Sequence, residues 1–202
     1  MSASALLVVD MQNTFCNPEG HRRAIGYSHV AEELVGRIRL LVDAARASGV
    51  PIIFTRYALN ADYSDAGLLI ERWPALKAEA ALVRDTWGTE IVAGLELGPD
   101  DLVVDKTRHS AFFGTELEST LHDLGVDTLI VCGVTTNVCV ESTVRDAFAR
   151  DFRVIVPADG TAATTAELHE TGLRNIAYAF GDVTTVAELG ALLGGRPVRG
   201  GV

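Results

Sequence analysis

The stretch Leu129-Ile-Val-Cys-Gly-Val-Thr-Thr-Asn-Val-Cys-Val-Glu141 decides how the rest of the chain is read. Its apolar start has the pattern of a buried strand. The run breaks at Gly133, crosses a short polar turn and restarts as a helix near Asn137. Cys139 then falls in the first helical turn, where amide N–H groups lack intrahelical partners and the dipole favours negative charge. A thiol so placed is expected to ionise more readily than a free one, and the thiolate is the nucleophilic form. On local sequence alone, a small apolar residue packing a strand–helix joint explains Cys139 equally well.

Working outward, the same strand-then-helix grammar recurs. Ala5–Val9, Val50–Thr55, Asp101–Lys106, Thr128–Cys132 and Phe152–Val156 are short apolar runs, and a further short strand is expected at Asp182–Thr184. Between them, Val30, Leu34, Ile38, Leu41, Val42 and Ala45 recur at helical spacing, and Gly49 supplies a stop. Capping pairs at Thr115/Glu118, Thr164/Glu167 and Thr185/Glu188 open three more helices, and Asn137–Arg150 forms another. Asp10–Ser28 is expected to be irregular. Between Arg56 and Gly98, short helices within Leu68–Leu82 are broken by Pro74, and Arg84–Leu97 reads as loop. Tyr57, Trp73 and Trp87 are aromatics of this region that either line a pocket or cover the core. Alternating strands and helices predict a three-layer α/β/α domain with a mostly parallel, roughly six-stranded sheet, Rossmann-like in outline. One domain spans 1–202, with flexible ends at 1–4 and 195–202.

With 202 residues, 48% hydrophobic and 22% charged, the chain can bury a substantial core. Its formal charge of -10 repels phosphate backbones, so nucleic acid is not an expected partner. No apolar run reaches the roughly 20 residues of a membrane span. Three cysteines, an odd number at low density, argue against a disulfide framework and for a reducing cytoplasm. Cys132 reads as core, and Cys16 as a loop thiol without a partner.

Ligands of open parallel sheets bind beyond the carboxyl ends of the strands. Those ends offer Asp10, Thr55 with Arg56, Lys106, Cys139 and Asp159. Asp10, Lys106 and Cys139 make chemical sense together. The carboxylate can take the thiol proton, the ammonium can steady negative charge, and the turn before Cys139 can present N–H groups to an oxyanion. Each also has a plainer role: Asp10 as a turn cap, Lys106 as a solvated strand end.

Asp10-Met-Gln-Asn13, Lys106-Thr-Arg-His-Ser-Ala-Phe-Phe-Gly-Thr115 and Gly133-Val-Thr-Thr-Asn-Val-Cys-Val-Glu-Ser142 resemble the signatures of the isochorismatase-like cysteine hydrolases. The resemblance runs from Leu6 to Leu193. It implies Asp10, Lys106 and Cys139 as a catalytic triad, a non-proline cis peptide between Val134 and Thr135, and the Thr135 and Cys139 amides as oxyanion donors. It also implies a homo-oligomer, dimer or tetramer, acting on a small molecule. Nicotinamidase-type relatives carry an Asp-x-His metal site after the second strand. Here Asp62 is followed by Tyr63 and Ser64, and the five histidines (21, 29, 109, 122 and 169) show no ligand spacing, so no metal and no cofactor is expected.

Within the family the motifs look most like the ureidoacrylate and N-carbamoyl amidohydrolase branch. That similarity implies hydrolysis of a carbamoyl, ureido or carboxamide C–N bond through a Cys139 thioester. His109 departs from the tyrosine usual in ureidoacrylate enzymes. Phe15, Tyr57, Trp87, His109 and Phe113 are the pocket candidates, with Arg108 or Arg56 to hold a substrate carboxylate, while Gln12 and Asn13 fix the loop around Asp10. Vinyl-ether hydrolysis of an isochorismate-like substrate is the alternative in the same fold. A non-catalytic interaction protein is the alternative of another class.

Overall fold

The stretch around Cys132 forms β4 (Thr128–Val134), buried along its whole length, which pairs in parallel with β1 (Ser4–Val9) so that Val9 lies opposite Gly133. In this computed structural model, residues 3–20 and 31–194 are described. β2 (Ile52–Tyr57) pairs with β1, and β3 (Leu102–Lys106) with β2; on the other side β5 (Arg153–Pro157) joins β4, and β7 (Asp182–Thr184) joins β5. The order is β3-β2-β1-β4-β5-β7, every pairing is parallel, and the two-residue β6 (Thr161–Ala162) extends the sheet beside the end of β4. Strands this apolar require cover on both faces. The strand order reverses between β1 and β4, so right-handed crossovers send the early and later helices to opposite faces.

α1 (Asn13–Cys16) is a single turn after β1. α2 (Ala31–Ala47) packs Leu34, Ile38, Leu41, Val42 and Ala45 into the core on one face, where α8 (Val186–Leu193) joins it. α3 (Leu69–Arg72) and α4 (Ala75–Ala78) are the two short helices on either side of Pro74. α5 (Leu117–Asp123), α6 (Glu141–Phe148) and α7 (Ala166–Ala179) serve the crossovers towards β4, β5 and β7 and so cover the other face.

Several boundaries differ from expectation. Ser4, read as part of a loose end, opens β1. The Thr115/Glu118 capping box does not form: the Thr115 hydroxyl donates to the Ala111 carbonyl instead, and the helix starts two residues later without a side-chain cap. Thr165 rather than Thr164 caps α7, accepting from the Leu168 amide, whereas Thr185 and Glu188 form a complete capping box. β6 was not foreseen, because two residues carry no periodicity. The histidines at 21 and 29, the second part of the expected Asp10–Ser28 loop (21–28) and the tail at 195–202 lie outside the described residues. Among the described residues no helix is long and apolar enough to cross a membrane.

Candidate active site

Asp10 ends the central strand β1 in a left-handed conformation, φ 52°, which aspartate adopts more readily than most residues. It is fully buried. Thr55 on β2 holds it twice: its hydroxyl donates to Asp10 Oδ1 at 2.7 Å and accepts from the Asp10 amide at 3.1 Å. Gln12 locks the following turn by donating to the Tyr57 and Thr89 carbonyls and accepting from the Tyr57 amide, and Asn13 donates to the Trp87 carbonyl. The fixing role expected of Gln12 and Asn13 is what these bonds describe.

Lys106 ends β3, two strands away from β1, and reaches back across β2. Its Cα partner there is Tyr57, and Nζ passes 4.2 Å from the Tyr57 ring centroid. Nζ donates to the Arg108 and His109 carbonyls at 2.9 and 3.0 Å and lies 2.8 Å from Asp10 Oδ2, with neither side chain exposed. That contact is an ion pair off the line of a hydrogen bond, and Oδ2 accepts no aligned hydrogen bond among the described residues.

The turn carrying Cys139 is set by its neighbours. Gly133 has φ 113°, and a Cβ there would fall 2.1 Å from the Val9 carbonyl oxygen, so only glycine lets β4 pass β1 next to Asp10. The Val134–Thr135 peptide is cis, as the family resemblance implied. Thr136–Val140 winds as a π-type turn, with the Val138 and Val140 amides both donating to the Thr135 carbonyl. Thr136 Oγ1 lies 2.8 Å from His169 Nδ1, and Gly172 of α7 lets that helix approach Asn137. Thr143 donates to the Cys139 carbonyl at 2.7 Å and accepts from the Ala111 amide at 3.0 Å, tying the nucleophile turn to the loop after Lys106.

Cys139 is buried, and the charges of Asp10 and Lys106 both act on its thiol. Burial pushes its pKa up, Lys106 opposes this, Asp10 adds to it, and the result is about 12. Burial and the Asp10 carboxylate thus work against the easy ionisation expected from the helix start. His109 Nδ1 lies 3.9 Å from Sγ. Burial, then Lys106, holds His109 below its ordinary 6.5, against a smaller opposing effect of Asp10. Cys132 is buried in its strand; Cys16 is also buried, against Met11 Sδ at 3.7 Å.

A cavity of about 250 Å³ opens over Cys139. Phe15, Tyr57 and His109 line it, together with Thr135 and Asn137 of the nucleophile turn. The other pocket candidates are elsewhere. Trp87 stands half exposed on a 3₁₀ turn, and Phe113 is exposed beside Arg108. Arg108 donates to the Asp65 and Thr107 carbonyls, and Arg56 forms a two-pronged pair with Asp105. Trp73 takes the place given to Trp87: its ring meets His109 edge-on at 5.7 Å. Leu69, Leu76, Leu82 and Leu168 complete the apolar lining. None of these leucines was singled out by the sequence, where nothing distinguishes a cavity-lining leucine from a core one. Among the described residues no three His, Cys, Asp or Glu side chains cluster as a metal site.

Residues 4–188 match the isochorismatase domain. The chain is 36% identical over 204 residues to ureidoacrylate amidohydrolase RutB of Methylobacterium radiotolerans, covering 94% of this chain and 79% of that protein. It superposes on a cysteine hydrolase from Pseudomonas syringae pv. phaseolicola with a TM-score of 0.88 at 36% identity, over 95% and 92% of the two chains. N-carbamoylsarcosine amidase from Thermoplasma acidophilum aligns with a TM-score of 0.77 at 26% identity, over 92% and 97%. With its fold, its buried Asp10–Lys106 pair under Cys139 and these likenesses, the chain belongs to the isochorismatase family of hydrolases.

Proposed function

We propose that this chain is a cysteine amidohydrolase that cleaves the C–N bond of a small carbamoyl, ureido or carboxamide compound through a thioester on Cys139. The observation that carries the reading is the buried Asp10–Lys106 pair, 2.8 Å apart, beneath a cavity whose wall is the Cys139 turn. Support also comes from relatives named as a ureidoacrylate amidohydrolase and an N-carbamoylsarcosine amidase.

The resting pair is a thiol and a carboxylate, so proton transfer accompanies attack. Asp10 Oδ2 takes the Cys139 proton as Sγ bonds to the carbonyl carbon. The oxyanion forms towards the Thr135 and Cys139 amides. Collapse breaks the C–N bond, and the nitrogen leaves as ammonia or amine carrying the proton from Asp10. Water then gives a proton to Asp10 and attacks the thioester; the C–S bond breaks and the sulfur recovers its proton. Lys106 orients Asp10 and offsets its charge throughout. A homo-oligomer in a reducing compartment completes the proposal, in keeping with three unpaired thiols, and light scattering after size exclusion measures the first part.

Ammonia release over a panel of ureido acids, N-carbamoyl amines and carboxamides tests the function. Turnover that Cys139→Ala abolishes, with a substrate-dependent mass increase on Cys139 after acid quench, is the expected result. Unchanged turnover in Cys139→Ala would refute it.

A further inference from the structure

The proposed amidohydrolase reading leaves the substrate open, and the cavity wall narrows it. Among the described residues, no Asp, Glu, Lys or Arg lines the cavity over Cys139. The two charges beneath it, Asp10 and Lys106, face each other. Among the described residues, the arginines of β2, of the loop after β3 and of the segment between these strands are committed or displaced. Arg56 and Arg84 both bind Asp105, and Arg84 also donates to the Ala58 carbonyl. Arg108 ties down the Asp65 and Thr107 carbonyls and lines a second, outer cavity together with Arg72.

Tyr57, Leu69, Trp73 and His109 line both cavities, which therefore adjoin each other. His109 packs edge-on against Tyr57 at 6.1 Å and Trp73 at 5.7 Å. Arg72 and Arg108 line the second cavity and are not among the residues lining the one over Cys139. An anionic group in the outer part of this cavity would meet leucines and aromatic faces, and burial without a partner disfavours a carboxylate strongly. An apolar group of the right size gains from the same wall. As for size, a dry cavity of about 150 Å³ accepts benzene. About 250 Å³ therefore takes an amide or carbamoyl group plus one six-membered ring or a short branched chain.

We infer that the preferred substrate of this site is an uncharged carboxamide or N-carbamoyl amine whose non-reacting part is a single small apolar group, rather than a carboxylate-bearing ureide. Phe15, Trp73, Leu76 and Leu168 recognise that group, and Thr135 and Asn137 meet the polar end. For a neutral N-carbamoyl amine the atoms balance as ammonia, carbon dioxide and the free amine, with one water consumed.

The test uses matched pairs: a neutral aryl or branched-alkyl amide or urea, and the same compound carrying a carboxylate. Ammonia release gives kcat/KM for each. A preference of tenfold or more for the neutral member supports the inference, and equal or reversed preference overturns it. Trp73 fluorescence in Cys139→Ala protein measures binding of the same pairs without chemistry. Tight neutral binding with no turnover in the wild type would therefore count against the amidohydrolase mechanism while upholding the cavity's selectivity. Leu168→Arg, at a partly exposed position on the rim, should move the preference towards the carboxylate member by tenfold or more; an unmoved ratio overturns the assignment. A selective tenfold loss of carboxylate turnover in Arg108→Gln would place that guanidinium on the substrate and would likewise overturn it.

Discussion

Replacing Lys106 by methionine tests the centre of the site most directly, because the side chain keeps its length and loses its charge. Both members of the Lys106–Asp10 pair are fully buried. Removing one partner of such a pair leaves an uncompensated charge and costs about 3–5 kcal/mol. Against a total stability of about 5–15 kcal/mol, the variant should still fold but with much of its margin gone. With a urea dependence of about 2–3 kcal/mol per molar, the midpoint falls by roughly 1–2 M. Equilibrium unfolding at pH 7, followed by circular dichroism, reads this directly. Arg56→Met is the control. Its pair with Asp105 is partly exposed and Arg84 still holds that carboxylate, so the cost stays below about 1 kcal/mol. Asp10→Asn combined with Lys106→Met removes both charges and should cost at least 1 kcal/mol less than the sum of the single variants. A Lys106→Met cost under 1 kcal/mol, additive with Asp10→Asn, would refute the assignment of a mutually dependent buried pair.

Three further expectations follow from the same geometry. Thr143→Val should leave the Cys139 carbonyl and the Ala111 amide without their hydroxyl partner, costing about 1–3 kcal/mol by denaturation and lowering kcat more than it raises KM. His109 is held below 6.5 in the fold, so the unfolded chain binds protons that the folded one refuses, and stability falls as the pH drops below 6.5. In His109→Gln the acid-side fall of the urea midpoint should be smaller; an identical pH profile would show that His109 titrates freely. The thiols give the opposite sign. Burial raises Cys16 and Cys139 from 9.0 to about 12, and Cys132 further, so the folded state keeps protons that the unfolded state releases. Each removes up to about 1.4 kcal/mol of stability per pH unit above 9, and Cys132→Ala should flatten the alkaline limb of a midpoint-against-pH plot.

The parts legible in the chain were those written in short-range patterns. Wholly apolar runs announced the buried strands, Pro74 divided two short helices, and Thr185 with Glu188 capped the last one. Asp10, Lys106 and Cys139 stood out because chemistry-bearing residues ended or followed apolar runs, and the fold brings all three together. What could not be read were properties that depend on distant segments. The raised Cys139 pKa is a consequence of burial by the whole fold, which a local helix-start argument omits. Trp73 and Trp87 are chemically equivalent in the sequence, and only the packing of the loop on His109 separates them. Arg56 and Arg108 looked available because their partners, Asp105 and the Asp65 carbonyl, are brought by other strands and loops.

The sheet order has a consequence for the time course of folding. Asp10 follows the first strand, Lys106 ends the third and Cys139 follows the fourth, yet β1 acquires its second neighbour only when β4 arrives. Parallel pairings between segments so far apart along the chain form slowly, since a long loop must close before any contact rewards it. Until β4 docks, the cysteine has neither its carboxylate nor its cover. A nascent or partly unfolded chain therefore presents an ordinary exposed thiol, and resistance of Cys139 to alkylation should arrive with the global folding transition rather than ahead of it. The chemistry is thus withheld until the last central strand is in place.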